Sequence, residues 1–335
     1  MAVSRTISLA ATALLTIGTV LAAACSPSAA PAGQPASSGA APTAGQAQPA
    51  PDKAPPPLTK GDLKRPELLM ETDALASGLA SKDLRIIDVR AAGPYGEAHI
   101  PGAINLNPND LDTKKPNGVQ DLAAPGKVAE VLSNLGLGDS GKIVVYDDQR
   151  TLSAARVFWA LDFLGRKDVA VLNGGFPKWQ AEKREVTRTV PKLDKAVFTP
   201  HPDSSKVADV PYIKANMSDK SVVLCDARTP GEYDGTDVRA ERGGHIPGAK
   251  NVNWENNIQS GETPVLKDAA QLKALYDQAG ITPDREVITY CQSGVRAAQS
   301  YFTLKLLGYE KVRNFDGSWQ EWAKDASLPI EGNKK

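Results

Sequence analysis

Cysteine stands at three positions of this 335-residue chain, Cys25, Cys225 and Cys291, and only the last has neighbours suited to chemistry. The word Tyr290-Cys291-Gln292-Ser293-Gly294-Val295-Arg296 follows the apolar run Val287-Ile288-Thr289 and precedes a segment of helical period, Ala297 to Leu307. That order puts Cys291 at a strand-to-helix turn. The first N–H groups of a helix have no partners within it, and with the loop amides of Gln292, Ser293, Gly294 and Val295 they make a concavity of positive potential. A sulfur anion is stabilised there and becomes a nucleophile. Gly294 lets the backbone curl without a side-chain clash. The planar fork of Arg296 suits the oxyanion end of a small donor. Such chemistry requires a sulfur that solvent can reach.

The other candidates read differently. Cys225 lies inside the apolar run Val222-Val223-Leu224-Cys225, where a free cysteine behaves as a small hydrophobe. The cysteines and His99, His201 and His245 are scattered without metal-type spacing, which argues against both a zinc site and a disulfide framework. No pattern asks for an organic cofactor. The 39 basic and 39 acidic residues cancel, so nothing recruits nucleic acid electrostatically. A hydrophobic share of 41% is that of a soluble globular protein, and the length asks for two domains.

The elements that must position Cys291 occur twice. Arg85-Ile86-Ile87-Asp88-Val89-Arg90 leads to His99-Ile100-Pro101-Gly102-Ala103, and Val222 to Arg228 leads to His245-Ile246-Pro247-Gly248-Ala249. Asp88 to His99 is 11 positions and Asp226 to His245 is 19, so the second copy carries eight extra residues, around Asp237 to Gly243. Further on, Ile143-Val144-Val145-Tyr146 and Asn173-Gly174-Gly175-Phe176 answer Val287-Ile288-Thr289-Tyr290 and Asp316-Gly317-Ser318-Trp319. Short β-branched runs alternate with helical segments such as Ala154 to Leu164. The fold class is therefore α/β, a small parallel sheet flanked by helices in each half, with right-handed crossovers.

Asp-x-Arg, His-Ile-Pro-Gly-Ala, Tyr-Cys-x-x-Gly-x-Arg and Asp-Gly-Ser-Trp, in that order, resemble the signatures of tandem rhodanese domains, from about Leu68 to Ile330. The resemblance implies a thiosulfate sulfurtransferase: the Cys291 thiolate takes the outer sulfur of thiosulfate, expels sulfite, and passes the sulfur from a persulfide to cyanide or a thiol. It also implies substrate binding by Arg296, the loop residues 292–295 and Arg228, although Arg228 equally suits an ion pair with a nearby carboxylate. Asp226 reads as structural, and the paired His99 and His245 as loop-fixing. Aligning the halves puts Asp147 or Asp148 opposite Cys291, depending on a one-residue gap. A carboxylate forms no persulfide, so residues 61–186 read as a silent domain, 187–205 as a linker and 206–331 as the catalytic domain. The cleft is expected near the interface between them.

Rival chemistries stay in view. Cysteine phosphatases and arsenate reductases use a similar turn, but Cys291 and Arg296 enclose four residues, a tighter loop than those enzymes need. Users of 3-mercaptopyruvate resemble one another in a Cys-Gly-Ser-Gly-Val-Thr loop with a second arginine after Asp-x-Arg. Here Gln292, Arg296 and Glu232 stand at the differing positions, which favours thiosulfate. A sulfur carrier or sensor without turnover fits the same residues.

Arg5 and the apolar run from Ile7 to Ala24 read as a signal peptide, 1–24. Leu21-Ala22-Ala23-Ala24-Cys25 resembles a bacterial lipobox, with Ala22 where a larger apolar residue is usual. It implies lipidation at Cys25 and a Pro/Ala-rich tether, 25–60, with no periodicity able to bury a face. The expected location is outside the cytoplasm, lipid-anchored on the outer face of the cell membrane, or periplasmic or secreted if the peptide is simply cut after an alanine.

Overall fold

The computed structural model describes residues 63–261 and 263–332; the signal peptide, the tether and Cys25 lie outside them. The first half runs β1 (Leu69–Met70), α1 (Thr72–Gly78), β2 (Leu84–Asp88), α2 (Ala92–Glu97), β3 (Ala103–Asn105), β4 (Asp112–Lys114), β5 (Gln120–Leu122), α3 (Pro125–Asn134), β6 (Lys142–Tyr146), α4 (Leu152–Phe163), β7 (Val169–Leu172) and α5 (Gly175–Ala181). The second runs β8 (Val207–Ala208), α6 (Val210–Asn216), β9 (Val222–Asp226), α7 (Pro230–Asp234), β10 (Lys250–Asn251), α8 (Ala269–Gln278), β11 (Glu286–Tyr290), α9 (Val295–Leu306), β12 (Val312–Phe315) and α10 (Ser318–Trp322). Between them, 182–203 carries no regular element beyond a bridge from Thr187 to His99.

Each half is a five-stranded parallel sheet of the same order, β1-β7-β6-β2-β3 and β8-β12-β11-β9-β10, flanked by helices. The α/β fold read from the alternating runs is the one observed. Central strands buried on both faces are continuous apolar runs, as in Ile143-Val144-Val145-Tyr146. The first half adds the antiparallel hairpin β4-β5.

The halves meet through α4 and α9, the helices that follow the two candidate turns. Both are buried over nearly all faces, α9 with Gln299, Ser300 and Thr303 among its buried residues. Phe158 of α4 meets Phe302 of α9 edge to face, with centroids 4.9 Å apart. A buried ion network also crosses the seam: Arg156 of α4 donates to Asp316 of the second half and, at 2.7 Å, to Asp112, while the Leu122 amide donates to Asp316 Oδ2 at 2.7 Å. Two strand-to-helix turns thus lie on either side of one helix pair.

Candidate active site

Register decides which residue of the first half answers Cys291. Asp226 pairs with Tyr290 across β9 and β11 as Asp88 pairs with Tyr146 across β2 and β6, so the residues that follow, Cys291 and Asp147, are equivalent. The extra residue of the first turn falls after Asp147. Thr151 (φ 70°) and Gly294 (φ 82°) then occupy the same left-handed position before α4 and α9. At Gly294 only glycine fits, because a Cβ would lie 2.2 Å from Asp316 Oδ1.

The two turns use their amides differently. In the first, the Asp147 carboxylate accepts from the amides of Gln149 (3.1 Å), Thr151 (3.1 Å) and Ala154 (3.0 Å). Its burial pushes the carboxyl up against the pull of these amides. In the second, the amides of Gln292, Ser293, Val295 and Arg296 have no acceptor among the described residues. Those of Cys291 and Gly294 are taken by the Ser318 hydroxyl, at 3.1 and 3.0 Å, which itself donates to the Phe315 carbonyl at 2.7 Å. Ser318 holds a positive φ of 51° to reach that place. The Cys291 carbonyl accepts from Trp319 N at 2.9 Å, so the Asp-Gly-Ser-Trp turn braces the loop from below.

Both candidate arginines are engaged within the protein. Arg228 is 1% exposed; its guanidinium grips Asp226 at 2.6–3.1 Å, donates to the Gly244 carbonyl at 2.8 Å and lies over the Trp319 ring at 4.6 Å. Its Nε and Nη2 are spent on these partners, and of its two expected roles the ion pair is the one observed. Arg90 repeats the arrangement on Asp88 and the Ala98 carbonyl. Arg296 is not a free fork either. It donates through both terminal nitrogens to Glu232, at 2.7 and 2.8 Å, and although burial alone would raise that carboxyl, the guanidinium holds it down at about 2. Glu232 stands on α7, started by Pro230 and a Thr229–Glu232 capping box.

Cys291 itself is 1% exposed, packed among Ala227, Ala297 and Trp254. The open sulfur that the sequence reading asks for is therefore covered in this conformation. The eight-residue insertion bonds the loop beside it. Gln292 Nε2 donates to the Arg239 carbonyl at 3.0 Å, and Arg239, half exposed, pairs with Asp237 at 2.6 Å and lies 3.8 Å from Glu232. Ser293 and Val295 flank the turn, half-buried. Cys225, inside β9, is fully buried, and burial pushes its thiol far up. His99 and His245 each stack on a tyrosine, Tyr95 and Tyr233, and bond its carbonyl through Nδ1 at 2.8 and 2.7 Å. Among the described residues no group of His, Cys, Asp and Glu could hold a metal ion. Sequence reasoning missed the Ser318 hydroxyl and the Glu232–Arg296 pair. The Asp-Gly-Ser-Trp word was the only signal for the first, and a left-handed serine cannot be read from it.

The rhodanese-like domain family model matches residues 71–182 and 209–325. The chain is 34% identical over 266 residues to a thiosulfate sulfurtransferase of Pseudomonas aeruginosa, covering 79% of this chain and 97% of that one. It is 35% identical over 279 residues to a sulfur carrier protein, TtuD, of Thermus thermophilus, covering 79% and 96%. Among solved structures, the 3-mercaptopyruvate sulfotransferase SseA of Escherichia coli superposes with a TM-score of 0.66 at 27% identity, over 75% of this chain and 98% of that one. An anaerobic ergothioneine biosynthesis enzyme of Chlorobium limicola, 22% identical, shares the fold with a TM-score of 0.71, over 80% and 71%.

Proposed function

The chain belongs to the rhodanese-like family in two tandem copies and is a sulfurtransferase, and from that premise we propose that it moves sulfane sulfur from thiosulfate through a persulfide on Cys291. The Cys291 thiolate attacks the outer sulfur of thiosulfate; the donor S–S bond breaks and sulfite leaves with its electron pair. Cyanide or a thiol then attacks the outer sulfur of the persulfide, and the Cys291 thiolate is the leaving group.

One observation carries this reading: the turn that bears Cys291 has a twin, and the twin holds a carboxylate on three backbone amides. In the second half the amides of Gln292, Ser293, Val295 and Arg296 in the equivalent turn are free, and this proposal assigns them to the negative charge of a persulfide. In this proposal Gln292, Ser293, Gly294 and Val295 contribute backbone, while Arg296 and Arg228 shape the loop through Glu232 and Asp226.

Incubation with thiosulfate should add one sulfur, about 32 Da, to the peptide containing Cys291. Cyanolysis with thiosulfate should exceed that with 3-mercaptopyruvate, and Cys291→Ser should lose about 10³-fold or more. Equal activity of wild type and the serine variant would overturn the site. Faster turnover of 3-mercaptopyruvate would overturn the donor. The burial of Cys291 favours a second reading, a sulfur carrier, and a persulfide that forms stoichiometrically without turnover would select it.

For the N-terminal region we propose export and lipidation at Cys25, which would hold the protein on the outer face of the membrane. Absence of fatty-acid labelling in the wild type would refute the anchor and leave a periplasmic or secreted protein, and labelling that survives Cys25→Ser would refute Cys25 as its site.

A further inference from the structure

The silent half keeps a cleft of its own. A cavity of about 280 Å³ opens at the carboxyl ends of β2, β3 and β6, where ligands of open α/β sheets bind. One residue of its wall is foreign to that half: Val295, the first residue of α9 and four positions after Cys291. The cavity therefore shares a wall with the candidate catalytic loop.

Its lining says what it can take. Asn109, Gln149 and Ser153 bring neutral donors and acceptors whose side chains have no hydrogen-bond partner among the described residues, set beside apolar Val89 and Pro108. No cation is free for an anion, since Arg156 is spent on Asp112 and Asp316. The amide nest of that turn is plugged by Asp147. A small oxyanion has nothing to hold it here, whereas an amide-bearing molecule finds both donors and acceptors. The volume falls just below the range of about 300–1,000 Å³ for ligand pockets, which selects a small occupant.

Resting on the sulfurtransferase reading of Cys291, we infer that this cleft binds the sulfur acceptor, a small amide-bearing thiol of peptide character. Its thiolate would attack the outer persulfide sulfur, forming one S–S bond as the bond to Cys291 breaks, and Cys291 regains its thiolate. Donor and acceptor would thus approach the loop from different halves of the protein.

N-Acetylcysteine amide, an uncharged amide-bearing thiol, serves as the acceptor, cyanide as an acceptor too small to need a pocket, and the S-methyl derivative of N-acetylcysteine amide as an unreactive ligand for calorimetry on the intact protein. The double variant Gln149→Leu/Ser153→Trp should weaken binding of the S-methyl derivative by about tenfold or more, and lower kcat/KM for N-acetylcysteine amide by a similar factor while cyanolysis changes far less. Absent binding to wild type, equal binding to the variant, or a parallel fall of both acceptors would overturn the assignment. Failure of Cys291 to load from thiosulfate would instead defeat the persulfide reading, and calorimetry would still decide whether the cleft binds the ligand.

Discussion

Two turns built on separate five-stranded sheets of the same strand order end in different chemistry. After β6 the chain places a carboxylate, Asp147, on a ring of amides and closes the question of what sits there. After β11 it places a thiol and leaves four amides open. The backbone cradle is a property of the strand-to-helix turn. Whether it serves as a plug or as a candidate catalytic centre depends on the side chain that follows the buried tyrosine.

That contrast can be broken at three points. The largest effect should come from Gly294→Ala, which forces a Cβ into the left-handed position and onto Asp316; a loss of about 2–4 kcal/mol is expected in denaturant unfolding. Thr151→Gly, at the same position of the other turn, should be neutral or stabilising, and equal losses at both sites would show that the turns are not equivalent. Next, Asp147→Ala leaves three buried amides without an acceptor and should cost about 1–3 kcal/mol by the same measurement, with persulfide loading of Cys291 intact. A loss of loading would mean that the first half takes part in the chemistry.

The smallest effect concerns pH. The Glu232–Arg296 pair exists only in the second half, where Pro94 and Ser153 stand at the corresponding positions of the first. Because the folded protein holds the Glu232 carboxyl at about 2 rather than its ordinary 4.5, its contribution is complete above about pH 4.5 and is lost as pH falls towards 2. Glu232→Gln should flatten that part of the stability profile in acid denaturation. An unchanged profile would show that the pair contributes nothing to the fold.

Much of this was legible in the linear chain. The tandem repeat, the alternation of β-branched and helical runs, and a cysteine where strand gives way to helix are all properties of residues near one another in sequence. Local periodicity and turn chemistry suffice for them. The one-residue ambiguity between Asp147 and Asp148 was not resolvable that way, since register across β2 and β6 settles it.

What only the tertiary structure decided is where the polar side chains spend their bonds. Arg296 meets Glu232 across 64 residues, and Ser318 reaches the Cys291 amide across 27. Arg228, two residues from Asp226, could equally have pointed into a cleft; burial under Trp319 gave it to the carboxylate. A sequence states which groups can donate and accept, but desolvation in the packed protein selects the partners, because a buried charge left alone costs more than any gain from offering it to solvent.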